Sequence, residues 1–163
     1  MRRQIDVGRC RDIEAMKRVL FFKDVIEHKG GHKIFYNKGV PVQREQDVHI
    51  LYRMTWFATE SDVSREVNDG RGPVDFKSSR GLDKTLVEFK LASNPQLKKN
   101  LQKQAEIYAK SSDATGAIKV VLYFSGQEKA RVMGILKELN CIGNPNIVLV
   151  DARNDNKPSG SKA

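Results

Sequence analysis

The sequence predicts an α/β domain in which a mixed sheet is flanked by helices. Three observations predict it. Thr85 to Leu91 alternates, with Thr85, Val87, Phe89 and Leu91 on one face and Leu86, Glu88 and Lys90 on the other. Residues 117–124 (AIKVVLYF) are nearly all apolar, as expected of a strand in the middle of a sheet. Between these two strands, Asn94-Pro95 is a strong helix start, with Asn as N-cap and Pro at the first helical position. A chain of 163 residues is long enough for one domain to bury a core without staples.

The remaining elements follow in order. Asp12 is an N-cap for a first helix to about Glu27, with Ile13, Met16 and Leu20 in one apolar row and Val19, Phe22 and Ile26 beside it. His28 to Pro41 holds three glycines and reads as a loop or short hairpin. A second helix spans Val42 to Ala58. It is nearly all apolar after Val48, which suggests burial on more than one side. Two strands follow, Val63 to Val67 and Val74 to Ser78, the latter introduced by the turn Asp69-Gly70-Arg71-Gly72-Pro73. The turn Arg80-Gly81-Leu82-Asp83 makes a hairpin of the second strand and the alternating third. The helix begun at Asn94 runs to about Lys110. A helix from Gln127 to Leu139 and a strand from Asn146 to Asp151 close the domain. The organisation is a helix-and-loop extension over 1–41, a core over 42–153, and a polar, flexible tail over 154–163.

Composition narrows the function classes. Hydrophobic residues make up 39%, too many for a disordered chain and too few for a membrane protein. No apolar run is long enough for a transmembrane helix, and the N-terminus lacks the apolar stretch of a secretory signal. Two cysteines, Cys10 and Cys141, are too few for a disulfide framework or a four-thiolate metal site. A cytoplasmic setting and oxygen-rich metal ligation are the expectations. The net charge of +9 points to a polyanionic partner, nucleic acid first.

Residues that carry chemistry converge on the predicted hairpin. Asp75 lies on the second strand, and Glu88-Phe89-Lys90 on the third. Residues two apart on a strand share a face, so Glu88 and Lys90 project together, and a hairpin can bring Asp75 beside Glu88. Two carboxylates on neighbouring strands suit a hard divalent cation, with the Phe89 carbonyl as a further ligand. Such a cation activates water and stabilises charge on a phosphodiester, and Lys90 can orient or help deprotonate that water. Gln104 and Tyr108 follow on the next helix, and Glu45 lies near the start of the helix before the sheet. Each has an ordinary reading beside the functional one. Glu88 and Lys90 could be a solvated strand face, Asp75 a turn residue, Gln104 and Tyr108 a buried helical stripe, and Glu45 a first-turn carboxylate facing the helix dipole.

This constellation resembles the PD-(D/E)xK, or restriction-endonuclease-like, nuclease superfamily. The match is nearest to the RecB-like motifs: G-x-x-D (Gly72-Pro-Val-Asp75), E-x-K (Glu88-Phe-Lys90) and Q-x-x-x-Y (Gln104-Ala-Glu-Ile-Tyr108). The superfamily core order, α-β-β-β-α-β, is the order read from Val42 to Phe124, with an extra α-β after it. The literal Pro-Asp pair is absent because Val74 intervenes. The resemblance implies a Mg2+-dependent deoxyribonuclease, with Mn2+ as a substitute. Glu45, Asp75, Glu88 and the Phe89 carbonyl would hold the metal, and Asp75, Glu88, Lys90, Gln104 and Tyr108 would form the catalytic set. Relatives often place a His on the helix before the sheet. Glu45 is the choice for the third carboxylate, with Glu66 on the first strand as its rival.

Arg71, Lys98, Lys99 and Lys103 are candidate contacts to DNA phosphates, against the reading of a solvated charged face. His28 and His32 are not expected to form a zinc site, since no second ligand pair follows. Cutting both strands of a duplex from one site would favour a homodimer. Nucleases of this class often sit at the end of defence or repair proteins, so a parent or partner protein with other domains belongs to the expectation. The alternatives are a nuclease-like module that binds DNA or assembles without turnover, a Holliday-junction resolvase, or an RNA-directed nuclease.

Overall fold

The computed structural model describes residues 9–59, 61–68, 73–80, 83–110 and 117–158. Among them, four α-helices surround a five-stranded mixed sheet of order β3-β4-β5-β6-β7. The helix α1 (Arg9–His28) leads through a 3-10 turn (Gly31–Phe35) into a two-residue hairpin, β1 (Tyr36–Asn37) and β2 (Val40–Pro41), and then α2 (Glu45–Met54). The strands β3 (Asp62–Asn68), β4 (Pro73–Arg80) and β5 (Asp83–Leu91) form an antiparallel meander. From β5 the chain crosses through α3 (Leu97–Lys110) to β6 (Ala117–Tyr123), and through α4 (Gly126–Glu138) to β7 (Ile147–Asp151), both pairings parallel. This is the predicted order of elements.

Alternation along the strands divides the core in two. Phe76, Val87, Phe89, Leu91, Ile118, Val120, Leu122, Val148 and Val150 face α1 and α2. Val121 and Tyr123 face α3 and α4, meeting Leu97, Leu101, Val132, Ile135 and Leu136. Phe89 is the hub of the first layer, its ring in contact with Phe22, Tyr52, Phe76 and His49. The α1 residues Ala15, Val19, Phe22 and Ile26 recur at helical spacing and are buried in that layer. Of the predicted row, Leu20 instead faces outward and Met16 is only partly buried. The side that wins carries Phe22, which has the aromatic hub to pack on.

Helix boundaries also differ from the sequence reading: α1 already includes Arg9, so Asp12 lies inside the helix and does not cap it. Val42 donates its amide to Phe35 O, so the chain before Glu45 continues the hairpin region and α2 begins three residues late. The far end closes at Met54, where Thr55 and Trp56 make 3-10-type bonds to Tyr52 and Arg53. Within that shorter span only Val48, His49 and Tyr52 are buried, whereas Ile50 and Met54 are exposed, so α2 is amphipathic rather than enclosed. In α3 the helix starts at Leu97, because the Asn94 side chain accepts from the Gln96 amide and makes a local turn first. By contrast, Ser125 caps α4 by accepting from Glu128 N, while Glu128 reaches back to Phe124 N.

Long-range ties fix α1 and the chain after β7 to the sheet. Lys23 donates to Leu149 O, and Glu27 accepts from Asp151 N. Asp151 in turn gathers Arg153, Asn156 and Lys157. Gly31 is required where the 3-10 turn crosses α1, since a Cβ there would sit 2.8 Å from the Val25 carbonyl oxygen. Residues 159–163 of the predicted tail lie outside the described residues. No described helix is long and apolar enough to cross a membrane.

Candidate active site

The β4–β5 hairpin sets the geometry. Its pairing, from Arg80↔Asp83 up to Phe76↔Val87, places Asp75 and Glu88 next in register. Asp75 Oδ2 accepts the Phe89 amide at 2.6 Å. Glu88 and Lys90 follow two apart on β5. The helix α2 lies against β5 and brings Glu45 and His49, one turn apart, to the same end of the sheet. His49 Nε2 lies 3.2 Å from Asp75 Oδ2, and its ring contacts Phe76 and Phe89. Glu45 Oε2 accepts from Lys90 Nζ at 3.2 Å, and its other oxygen accepts from Leu91 N and from Asn94 Nδ2. On the neighbouring strand, Lys119 is the register partner of Glu88 and forms an ion pair with its carboxylate.

Three carboxylates and an imidazole thus meet two ammonium groups within a largely buried setting. Burial would raise the Asp75 carboxyl, but His49 and the Phe89 amide outweigh it and hold the group below its ordinary value. Burial would lower Lys90, but Asp75, Glu45 and Glu88 outweigh it and hold the amine above its ordinary value. Lys90 therefore stays an ammonium across the neutral range. In this arrangement it is a fixed positive charge against Glu45.

His49 is only 4% exposed, and its Nε2 faces Asp75 Oδ2 at 3.2 Å as its nearest acidic neighbour among the described residues. A buried imidazole beside a carboxylate is of the right chemistry to donate to a divalent cation. The carboxylates are also of the right chemistry for Mg2+. Even so, no group of three His, Cys, Asp or Glu among the described residues is arranged around one point for a metal. The reason is visible in the pairings: Glu45 is turned to Lys90 and Glu88 to Lys119.

Of the other predicted residues, Gln104 has its bonding partner away from this cluster. Gln104 is buried on α3 and donates to Ala117 O at 2.7 Å, tying the helix to the start of β6. Tyr108 lies one turn later on α3, its side chain outside the described residues. Glu66 lies on β3 between Arg65↔Phe76 and Val67↔Val74, hence across from Asp75, with its side chain also outside the described residues. Arg71 and Gly72 lie outside them altogether. Lys98 is paired with Glu138 at 2.6 Å, while Lys99 and Lys103 are exposed on α3. Phe89 contributes its amide to Asp75 and its ring to the core.

Sequence reasoning missed His49, Asn94 and Lys119. The first follows Glu45 by four positions on a predicted helix, which was a legible spacing. Lys119 stood out as the one charge in an apolar strand, since a buried lysine needs a counter-ion.

A family model described as "Domain of unknown function (DUF8371)" matches residues 12–126, well over half of the chain. No curated protein and no solved structure matches.

Proposed function

Because the chain belongs to the DUF8371 family of domains of unknown function, its activity has to be argued from its site, and we propose a Mg2+-dependent nuclease that hydrolyses phosphodiester bonds in DNA. One observation carries the reading: Asp75 and Glu88 are next to each other in register, with Lys90 beside Glu88 on its strand, and α2 sets His49 against Asp75 and Glu45 against Lys90. The order α2-β3-β4-β5-α3-β6 supports a restriction-endonuclease-like fold.

Asp75, Glu88, His49 and Glu45 would hold the cation, with the Phe89 carbonyl as a further oxygen. When bound, the cation supplies Lewis acidity at the phosphate and a nucleophilic water. The chain's own residues do the rest. Lys90 keeps its proton, so it aligns the attacking water and offsets the charge that grows on the phosphoryl oxygens. The Phe89 amide and His49 fix the Asp75 carboxylate in one orientation. The surplus of nine positive charges draws in the polyanion.

The test is a plasmid-nicking assay with Mg2+ against EDTA, run on the wild type, Asp75→Ala and Glu88→Ala, with folding checked by circular dichroism. Mg2+-dependent cleavage by the wild type and none by either variant is expected. Cleavage that persists in both variants would remove the assignment. A second reading, a nuclease-like module that binds DNA without turnover, draws support from the ion pairs that occupy Glu45 and Glu88. It predicts retention of DNA on a filter with no cleavage at any metal concentration. Branched DNA and RNA substrates in parallel address the resolvase and RNA-directed alternatives.

A further inference from the structure

The nuclease reading asks Glu88 to bind a cation, yet Glu88 already holds one. Lys119 sits directly across the β5–β6 pairing, is 7% exposed, and closes an ion pair on the Glu88 carboxylate. Its backbone is pinned as well, since Lys119 N donates to Asn146 O. The ammonium is therefore delivered to Glu88 by the sheet, not by a wandering surface side chain. Lys90 does the same to Glu45 from β5. Counting Asp75, Glu45 and Glu88 against Lys90 and Lys119, two of three negative charges are neutralised from within the fold.

Resting on the nuclease reading, we infer that Lys119 is a built-in competitor for the divalent cation: its ammonium occupies Glu88 until metal binding displaces it. A carboxylate taken from water is costly without a counter-charge, so Lys119 stabilises the metal-free chain. A divalent cation at Glu88 removes that need and repels the ammonium. The released side chain is anchored on β6, next to the same carboxylate, and a phosphodiester arriving there offers it a new acceptor. Metal and nucleic acid then bind with positive coupling, each favouring the state in which Lys119 has left Glu88. Lys119 is on this account a positioning residue, with no role in the chemical step.

The experiment uses the full chain and Mn2+ alone, titrated calorimetrically into the wild type, Lys119→Met, Lys119→Arg and Glu88→Gln. Lys119→Met is expected to bind Mn2+ about tenfold more tightly than the wild type, the usual scale of such coupling. Lys119→Arg keeps the charge and stays near the wild type, and Glu88→Gln binds weakly. Lys119→Met also strands Glu88, so its melting temperature should fall in EDTA and recover with Mn2+, whereas Glu88→Gln with Lys119→Met should not respond. A Mg2+ titration of the wild type, followed by the Lys119 side-chain NMR signals, needs no variant at that position and should show a saturable shift. Equal Mn2+ affinity in the wild type and Lys119→Met, or an unmoved Lys119 signal at saturating Mg2+, overturns the inference and leaves the nuclease reading standing. No Mn2+ binding by any folded form overturns both.

Discussion

Gln104 offers a clean separation between what its motif implies and what its contacts imply. The Q-x-x-x-Y resemblance places it in the catalytic set, whereas its side chain is 4% exposed and spends its amide on Ala117 O at 2.7 Å. Gln104→Met keeps the length and volume of the side chain and removes only the polar end. A net hydrogen bond is worth about 1 kcal/mol, and the buried carbonyl partner left behind pushes the cost toward about 2 kcal/mol. For a domain of this size that corresponds to a fall in melting temperature of roughly 2–8 °C. Because Ala117 opens β6 and pairs with Leu86 of β5, local loosening would be greatest at that strand's start. The assay is thermal unfolding alongside Mn2+ titration and plasmid nicking at 25 °C. A lowered melting temperature with metal affinity and cleavage per folded molecule within about twofold of the wild type is expected, since twofold is well under 1 kcal/mol. A cleavage rate that drops a hundredfold while the melting temperature stays put would refute the structural assignment and return Gln104 to the site.

Two further outcomes follow from named contacts. His49→Ala should weaken Mn2+ binding and nicking by about 10- to 100-fold, the effect of losing a ligand or the group that orients Asp75; unchanged affinity in a folded variant would make His49 an ordinary core residue. Asp151 is depressed in the folded chain: burial would raise it, but Arg153, Asn156 and Lys157 outweigh burial. A depressed carboxyl stabilises the fold above its unfolded value and loses that contribution as pH falls through and below that value. Asp151→Asn should therefore be less stable than the wild type at pH 7, with the gap narrowing as pH drops below about 4; a gap that stays constant in pH-dependent thermal melts would contradict this.

The order of elements was legible because it depends on local periodicity. Alternation at Thr85–Leu91 and the apolar run at 117–124 each act within a few residues, and each element appeared. What failed depended on distant partners. The start of α2 is decided by Val42 bonding to Phe35, and the buried side of α1 by Phe22 meeting Phe89 and Tyr52. The partner of Gln104, Ala117 O at the start of β6, likewise lies beyond what local spacing shows. The site shows the same division. Asp75, Glu88 and Lys90 could be placed from strand geometry alone, but strand geometry lists ligands without their counter-charges. Each negative group has a cationic or imidazole neighbour delivered by another element: His49 from α2 to Asp75, Lys90 from β5 to Glu45, Lys119 from β6 to Glu88. A reading limited to the motif therefore pictures an acidic pocket waiting for metal. The folded chain instead sets a lysine or an imidazole against each of these carboxylates, and under the proposed nuclease reading a cation would have to compete for each one. Under that reading the affinity for metal would depend on the lysines as much as on the acids, and catalysis would turn on exchange. If the exchange is too costly the domain binds DNA and does nothing more; if phosphate contacts help draw the lysines away, the same residues form a metal site only when substrate is present.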